Sequence, residues 1–202
     1  MPSRRHALIA LAILGIALLI GAAAFVMRPG GLGPAHTGEA LIGGPFTLTD
    51  HNGRRVTDQD FRGKYMLLFF GYTYCPDVCP TELQVMTEAV RLMGPSGDAI
   101  QPIFVTIDPE RDTPETIKAY VENFGPRLIG LTGSAEDVAV AAKAYRVYYS
   151  KAGTGGTSDY LMDHSSIVYL MNPDGKFVRH FTYSTDAKTL AEGLSAAISG
   201  TL

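Results

Sequence analysis

Two cysteines, Cys75 and Cys79, stand four positions apart in the stretch GYTYCPDVCPTEL, and they are the only cysteines among 202 residues. They follow the apolar run 64–72, and Pro76 suits the first position of a helix. Residues four apart share one face of a helix, so both sulfurs can bind one metal ion or approach each other. The partial positive charge at a helix N-terminus favours the thiolate, which is the form that binds metal.

Several kinds of site are compatible with this cysteine pair. A structural disulfide would close a short loop and would therefore restrict the unfolded chain only slightly. Thiol-disulfide oxidoreductases usually carry C-x-x-C, whereas the spacing here is C-x-x-x-C. A peroxidase would use Cys75 as its reactive thiolate, but the cysteine loop contains no arginine to stabilise that charge. A metal site is the fourth possibility, and it requires a further ligand.

Alternating strand and helix patterns predict the fold that positions the cysteines. After Lys64 the run 64–72 is apolar, as expected of a strand buried on both faces. The predicted order is a hairpin at 46–56, this strand, a helix at 76–93, a strand ending at 107, a helix at 114–125, a short strand at 128–131, a helix at 135–145, a hairpin at 165–183 and a closing helix at 186–198. This order predicts an α/β fold with a thioredoxin-like mixed sheet flanked by helices.

His164 is the candidate third ligand. In a thioredoxin arrangement, the loop before the strand 167–171 lies against the first turn of the cysteine helix, which brings His164 near both sulfurs. Oxidoreductases of this fold carry a cis-proline there, whereas this chain has Asp163-His164-Ser165-Ser166. Two thiolates and an imidazole select Cu(I) and also allow Cu(II), and a fourth protein ligand for structural zinc is not evident. Copper is therefore the predicted metal.

The domain resembles the Sco/SenC family of copper-binding assembly proteins over residues 46–199. The resemblance is carried by GYTYCPDVCPTEL, VTIDPERDTPE and YLMDHSSIVYLMNPDGKFV, in this order. It implies that Cys75, Cys79 and His164 bind one copper ion. It also implies a role in building the dinuclear copper centre of cytochrome c oxidase subunit II, as copper donor, as reductant of that subunit's cysteines, or both. Tyr72 and Tyr74 depart from the family, because many relatives have Phe and His there.

Other polar residues have simpler explanations. Asp108 follows a predicted strand at the same sheet edge as the cysteine loop, which suggests charge near the metal or at a partner surface. The alternative is local, with Asp108 shaping a turn and Arg111 pairing with a neighbouring acid. Asp77 complements the helix dipole, and contact with a partner is its alternative role. The remaining histidines are expected to be surface or core residues: His6, His36, His51 and His180.

The N-terminal segment predicts a membrane anchor. Residues 7–27 form an apolar run without charge, and about 21 helical residues span about 30 Å of hydrocarbon. Arg4 and Arg5 precede this run, so the positive-inside rule places the domain outside the cytoplasm. We predict a single-pass protein of the bacterial inner membrane with its domain in the periplasm. The predicted divisions are a cytoplasmic tail at 1–6, the anchor at 7–27, a flexible tether at 28–45 and the copper-binding domain at 46–202.

Charge limits the range of partners. Without Arg4, Arg5 and Arg28, 14 basic residues remain against 20 acidic residues, a net charge of −6. A domain of this charge is not expected to bind nucleic acid. The expected partners are cytochrome c oxidase subunit II and an upstream periplasmic copper donor that loads the site.

Overall fold

A computed structural model describes four parts of the chain, which are residues 13–19, 21, 41–152 and 160–201. The chain divides into two units, Met1–Glu39 and Ala40–Leu202. In the first unit, residues 13–19 are helical. The second unit contains the predicted domain and all the elements named below.

The predicted anchor stays a prediction. The predicted tail and most of the predicted anchor and tether lie outside the described residues. Among the residues that the structure does describe, no helix is both long and apolar enough to cross a bilayer. The Gly-rich segment 153–158 also lies outside the described part of the chain.

Nine strands and four α-helices are described in the second unit. The strands are β1 (Thr47–Asp50), β2 (Arg55–Thr57), β3 (Tyr65–Gly71), β4 (Ile100–Thr106), β5 (Ile129–Thr132), β6 (Tyr149–Ala152), β7 (Leu161–His164), β8 (Ile167–Met171) and β9 (Phe177–Thr182). The helices are α1 (Val78–Leu92), α2 (Pro114–Val121), α3 (Ala135–Ala144) and α4 (Ala187–Ser199). Short 3-10 helices cover Asp58–Phe61, Gly94–Ala99 and Glu122–Phe124.

Seven of the strands form one mixed sheet in the order β2-β1-β5-β4-β3-β8-β9. The central strands β3, β4 and β5 run parallel, and the flanking pairs are antiparallel. Strands β6 and β7 form a separate two-stranded antiparallel sheet. The predicted mixed sheet flanked by helices is confirmed, and its order is the thioredoxin-like one.

The core lies on both faces of the central strands. In β3, the side chains of Leu67, Leu68, Phe69 and Phe70 are fully buried, as the uninterrupted apolar run predicts. Helix α2 packs closely against β5. There is no room for a side chain at Gly130, where a Cβ would lie only 2.1 Å from Cγ2 of Ile117. Close packing of this kind leaves little freedom for α2 to move relative to the sheet.

Helix starts agree with the sequence in three cases and differ in one. Thr113 and Ser134, which directly precede the helices predicted from 114 and 135, accept hydrogen bonds from the amides of Thr116 and Asp137, and Asp186 caps α4. The cysteine helix, in contrast, begins at Val78 and not at Pro76. The prediction for Pro76 was wrong because Asp77 has the non-helical backbone angles of a cap, with φ −141° and ψ −68°.

Candidate metal centre

Three side chains that can bind a metal converge beside the ends of β3 and β7. The ligand atoms of Cys75, Cys79 and His164 all lie within 4.8 Å of one another. The Sγ atom of Cys79 is 3.5 Å from Nε2 of His164. Cys79 is fully buried, whereas Cys75 and His164 are half-buried. The structure therefore brings the predicted residues together, with one side of the cluster open to solvent.

The cysteine loop is a compact turn followed by a helix N-terminus. The amide of Cys75 donates to the carbonyl of Tyr72 at 3.3 Å, and the amide of Cys79 donates to Sγ of Cys75 at 3.4 Å. Cys75 thus lies before α1, and only Cys79 lies in its first turn. The two sulfurs lie close together, as predicted. They are brought together by the turn before α1 and by the backbone N–H of Cys79, and not by a shared helix face.

Gly71 makes room for the buried sulfur. It is the last residue of β3, and a Cβ there would lie 2.8 Å from Sγ of Cys79. The same Cβ would also press on the rings of Phe69 and Phe104, at 3.0 and 3.1 Å. The position of Cys79 therefore depends on the absence of a side chain at Gly71.

The orientation of His164 is set by its neighbours. Its Nδ1 is 3.2 Å from the carbonyl oxygen of Ser165, so Nδ1–H donates there and Nε2 faces Cys79. The rings of Phe69 and Tyr72 both lie edge-on to the imidazole, with centroids 6.0 Å away. The imidazole therefore has one nitrogen held by the backbone and one free to bind metal.

The two cysteines differ in protonation. A hydrogen bond from the Cys79 thiol, with further ones from His164 and from the amides of Asp77 and Cys79, lowers the pKa of Cys75 to about 3. The shared hydrogen bond with Cys75 and burial raise the pKa of Cys79. Cys75 is therefore a thiolate at neutral pH, and Cys79 keeps its proton until a metal replaces it.

Asp112 holds the cysteine loop from the neighbouring loop after β4. Its buried carboxylate accepts from the amide and the hydroxyl of Thr73, at 3.1 and 2.5 Å, and from the hydroxyl of Thr106 at 2.5 Å. Burial raises the pKa of Asp112. Asp112 lies in the motif VTIDPERDTPE, but local sequence does not reveal this role, because its partner Thr73 is 39 positions away.

The other predicted residues fall outside the ligand cluster. Asp108 and Arg111 form the expected ion pair, at 2.5 Å, and Asp108 is buried. Asp77 is the N-cap of α1, although within the described residues its side chain forms no capping hydrogen bond. His180 is exposed, as expected, and His51 accepts from the amide of Gly130. His6 and His36 lie outside the described residues.

The donor set fits copper. Two sulfurs and one imidazole nitrogen are ligands that suit both Cu(I) and Cu(II). A structural zinc site would need a fourth protein ligand, and the cluster contains three in the part of the chain that the structure describes. Both cysteines are free thiols, so both are available as ligands.

Known proteins with similar sequences and structures support this assignment. Protein SCO1 homolog, mitochondrial, of Mus musculus is 47% identical over 161 residues, which cover 79% of this chain and 57% of that protein. The chain thus spans little more than half the length of this relative. The solved structure of Arabidopsis thaliana ScoI with copper bound has a TM-score of 0.75 and 44% identity, and the match covers 79% of this chain and 99% of that one.

A second solved structure agrees. Bradyrhizobium japonicum ScoI with copper bound has a TM-score of 0.71 and 48% identity, with 76% of this chain and 98% of that chain covered. Copper in both structures supports copper as the metal for Cys75, Cys79 and His164. The model of the SCO1/SenC family matches residues 34–199. The chain therefore belongs to the SCO1/SenC family.

Proposed function

We propose that this chain is a copper metallochaperone for cytochrome c oxidase assembly, and that it delivers copper to the dinuclear centre of subunit II. The observation that carries the proposal is the half-open cluster of Cys75, Cys79 and His164. The names of the similar chains, which include copper-bound ScoI proteins, support it.

The geometry suits a site that takes up copper and releases it. Copper is the cargo, and the chain supplies one thiolate, one thiol and one imidazole nitrogen. Cys75 is the first sulfur to bind because its low pKa leaves it ionised, and Cys79 loses its proton on binding. The half-buried Cys75 and His164 leave one side of the cluster accessible to the thiolates of a partner.

A thiol-disulfide oxidoreductase is the second candidate, and the low pKa of Cys75 favours it. The Cys75 thiolate would attack a partner disulfide and release one partner thiolate. Cys79, once deprotonated, would then attack Cys75 and release the second partner thiolate, which leaves a disulfide between Cys75 and Cys79. The raised pKa of Cys79 slows that second step. Reduction of the cysteines of subunit II is therefore a secondary role in this proposal.

The proposed location is the bacterial inner membrane, with the copper-binding domain in the periplasm. The apolar run 7–27 after Arg4 and Arg5 supports a single anchor in this orientation. An upstream periplasmic copper donor is the proposed source of the metal. Fractionation of cells that produce the full chain, with protease treatment of spheroplasts, tests this location. Digestion of the domain from the outside is the expected result, and protection would contradict it.

Copper transfer to subunit II tests the proposed function. The full chain, reduced and loaded with Cu(I), is mixed with the reduced, metal-free copper domain of subunit II, and the copper content of each protein is measured after the two are separated. We expect transfer from the wild type and none from His164→Ala. Equal reduction of an oxidised subunit II by both proteins, without copper transfer from either, would support the oxidoreductase instead.

A further inference from the structure

We propose that Arg111 is a positioning residue that holds the segment carrying His164 against the loop carrying the cysteines. It acts through the aromatic residues beside the three ligands. The inference concerns copper binding by the chain itself. It is therefore independent of whether the copper goes to cytochrome c oxidase.

The strand that carries His164 needs support from outside the main sheet. His164 ends β7, and β7 pairs with β6 in the separate two-stranded sheet. The ladder of the seven-stranded sheet therefore does not fix the start of β7. His164 must nevertheless meet Cys79, which is 85 positions away in the chain.

Arg111 binds the residue that immediately precedes β7. Its Nη1 donates to the backbone carbonyl of Tyr160 at 2.9 Å, and its guanidinium carbon lies 3.7 Å from the centroid of the Tyr160 ring. The Tyr160 hydroxyl donates to Oδ1 of Asp108 at 2.6 Å. Tyr160 is thus held at its ring, its hydroxyl and its backbone.

The same guanidinium also contacts the segment that leads to Cys75. Its central carbon is 4.6 Å from the ring centroid of Tyr74 and 5.8 Å from that of Tyr72. Tyr74 directly precedes Cys75, and the Tyr72 ring lies edge-on to His164. A planar cation that stacks on aromatic rings can hold several of them in a fixed arrangement.

Arg111 is itself held in place by buried partners. Its Nε donates to Oδ2 of Asp108, and the side chains of Arg111 and Asp108 are only 12% and 1% exposed. The amide of Asp108 donates to the hydroxyl of Thr106. A buried charged pair with several hydrogen bonds tolerates little displacement. The pair of Arg111 and Asp108 is therefore a rigid support for the tyrosine rings that Arg111 contacts.

Loss of this support should weaken copper binding although the ligands are intact. Residues that orient metal ligands typically change metal affinity by about 10- to 100-fold when they are replaced. We expect a fall of this size in the Cu(I) affinity of Arg111→Met. Arg111→Lys keeps the charge but loses the planar fork, so it should restore only part of the affinity.

A double-mutant cycle with His164→Ala separates positioning from general damage. The affinity of the full chain for Cu(I) is measured by competition with a chromophoric chelator, for single variants and for Arg111→Met in the His164→Ala background. If Arg111 acts through His164, its replacement should have almost no further effect once His164 is absent. The nitrogen hyperfine coupling in the electron paramagnetic resonance spectrum of the Cu(II)-loaded chain should weaken in Arg111→Met.

Two further variants keep the test decisive. Arg127→Met removes an arginine that binds Asp98 and the carbonyl of Gly97, and it should leave copper affinity unchanged. If Arg111→Met does not fold, Tyr160→Phe removes the hydroxyl that donates to Asp108 and should also lower the affinity, by a smaller factor. Unchanged affinity in the folded Arg111 variants, or an equal loss with and without His164, would overturn the proposal.

Discussion

The buried sulfur of Cys79 packs directly against Gly71, where a Cβ would approach it to 2.8 Å. Gly71 ends the strand that leads into the cysteine loop, so the same backbone that positions Cys75 also leaves space for Cys79. This contact connects the packing of the central strand with the geometry of the metal ligands.

Replacement of Gly71 by Ala should displace Cys79. We expect Gly71→Ala to lower the free energy of unfolding by about 1–3 kcal/mol, the usual cost of overpacking, and copper affinity by about 10-fold or more. Chemical denaturation and Cu(I) competition measure the two effects. Gly44→Ala is the control, because among the described residues its Cβ would approach only Ala144, at an ordinary 3.4 Å. Wild-type affinity in Gly71→Ala would contradict this account of the contact.

The low pKa of Cys75 predicts one thiolate per reduced, metal-free chain at pH 7. Its ultraviolet absorbance should be lost only in strong acid, because the pKa is lowered from 9.0 to about 3. Cys79→Ala should raise this pKa most and His164→Ala less, following the strengths of their hydrogen bonds. A thiolate signal that appears only above pH 8 in the wild type would contradict the prediction.

The same shift predicts how Cys75 affects stability. The pKa of Cys75 is lower in the folded chain than in the unfolded chain. The contribution of its thiolate to the free energy of unfolding is therefore fully present above pH 9 and is lost as the pH falls through about 3. The difference in unfolding free energy between wild type and Cys75→Ser should therefore grow as the pH is raised between these limits. Denaturation of the reduced, metal-free proteins at several pH values measures it, and a difference that shrinks with pH would be the opposite result.

Glu82, in the first half of α1, predicts a pH effect of the opposite sign. Burial raises its pKa from 4.5 to about 7, and its side chain is 1% exposed. The contribution of the neutral Glu82 side chain to the free energy of unfolding is fully present below pH 4.5 and is lost as the pH rises through about 7. Glu82→Gln should thus be about 1–2 kcal/mol more stable than wild type at pH 8 and equal to it near pH 4. Equal stability at both pH values would refute the prediction.

Thr73 provides a direct test of the support from Asp112. Thr73→Val removes the hydroxyl bond to Asp112 but keeps the amide bond, and we expect a loss of about 1–3 kcal/mol in unfolding free energy because a buried acceptor loses a partner. Thermal or chemical denaturation measures it. Thr182→Val is a matched control, because Thr182 is exposed and its hydroxyl bonds that of Ser184 at 3.1 Å. An equal effect in both variants would show that the bond to Asp112 is unimportant.

The sequence predicts the parts of the site that depend on residue type and local pattern. Cys75 and Cys79 are recognisable by their spacing, and His164 by its place before an apolar strand, and the structure brings these three predicted residues together. The start of α1 is misplaced by two residues, because the non-helical angles of Asp77 reflect the turn that binds Cys79 to Cys75.

What the sequence does not predict depends on contacts between distant segments. Asp112 reaches Thr73 across 39 positions, and the hydroxyl of Tyr160 reaches Asp108 across 52. Strands β6 and β7 are short and mostly half-exposed, and their residues lack the regular alternation that marks β1 or the apolar run of β3. These contacts can be recognised only from the structure, which shows how the loops around the ligands are arranged.

Copper binding by the reduced full chain, measured beside His164→Ala, tests the central claim most directly. We predict one copper ion per wild-type chain, held by Cys75, Cys79 and His164, and a steep fall in Cu(I) affinity when the imidazole is removed. Because both sulfurs stay in place, any loss reports on His164 itself. Weak binding that is the same in both proteins would contradict the three-ligand site and would favour a redox-active dithiol instead.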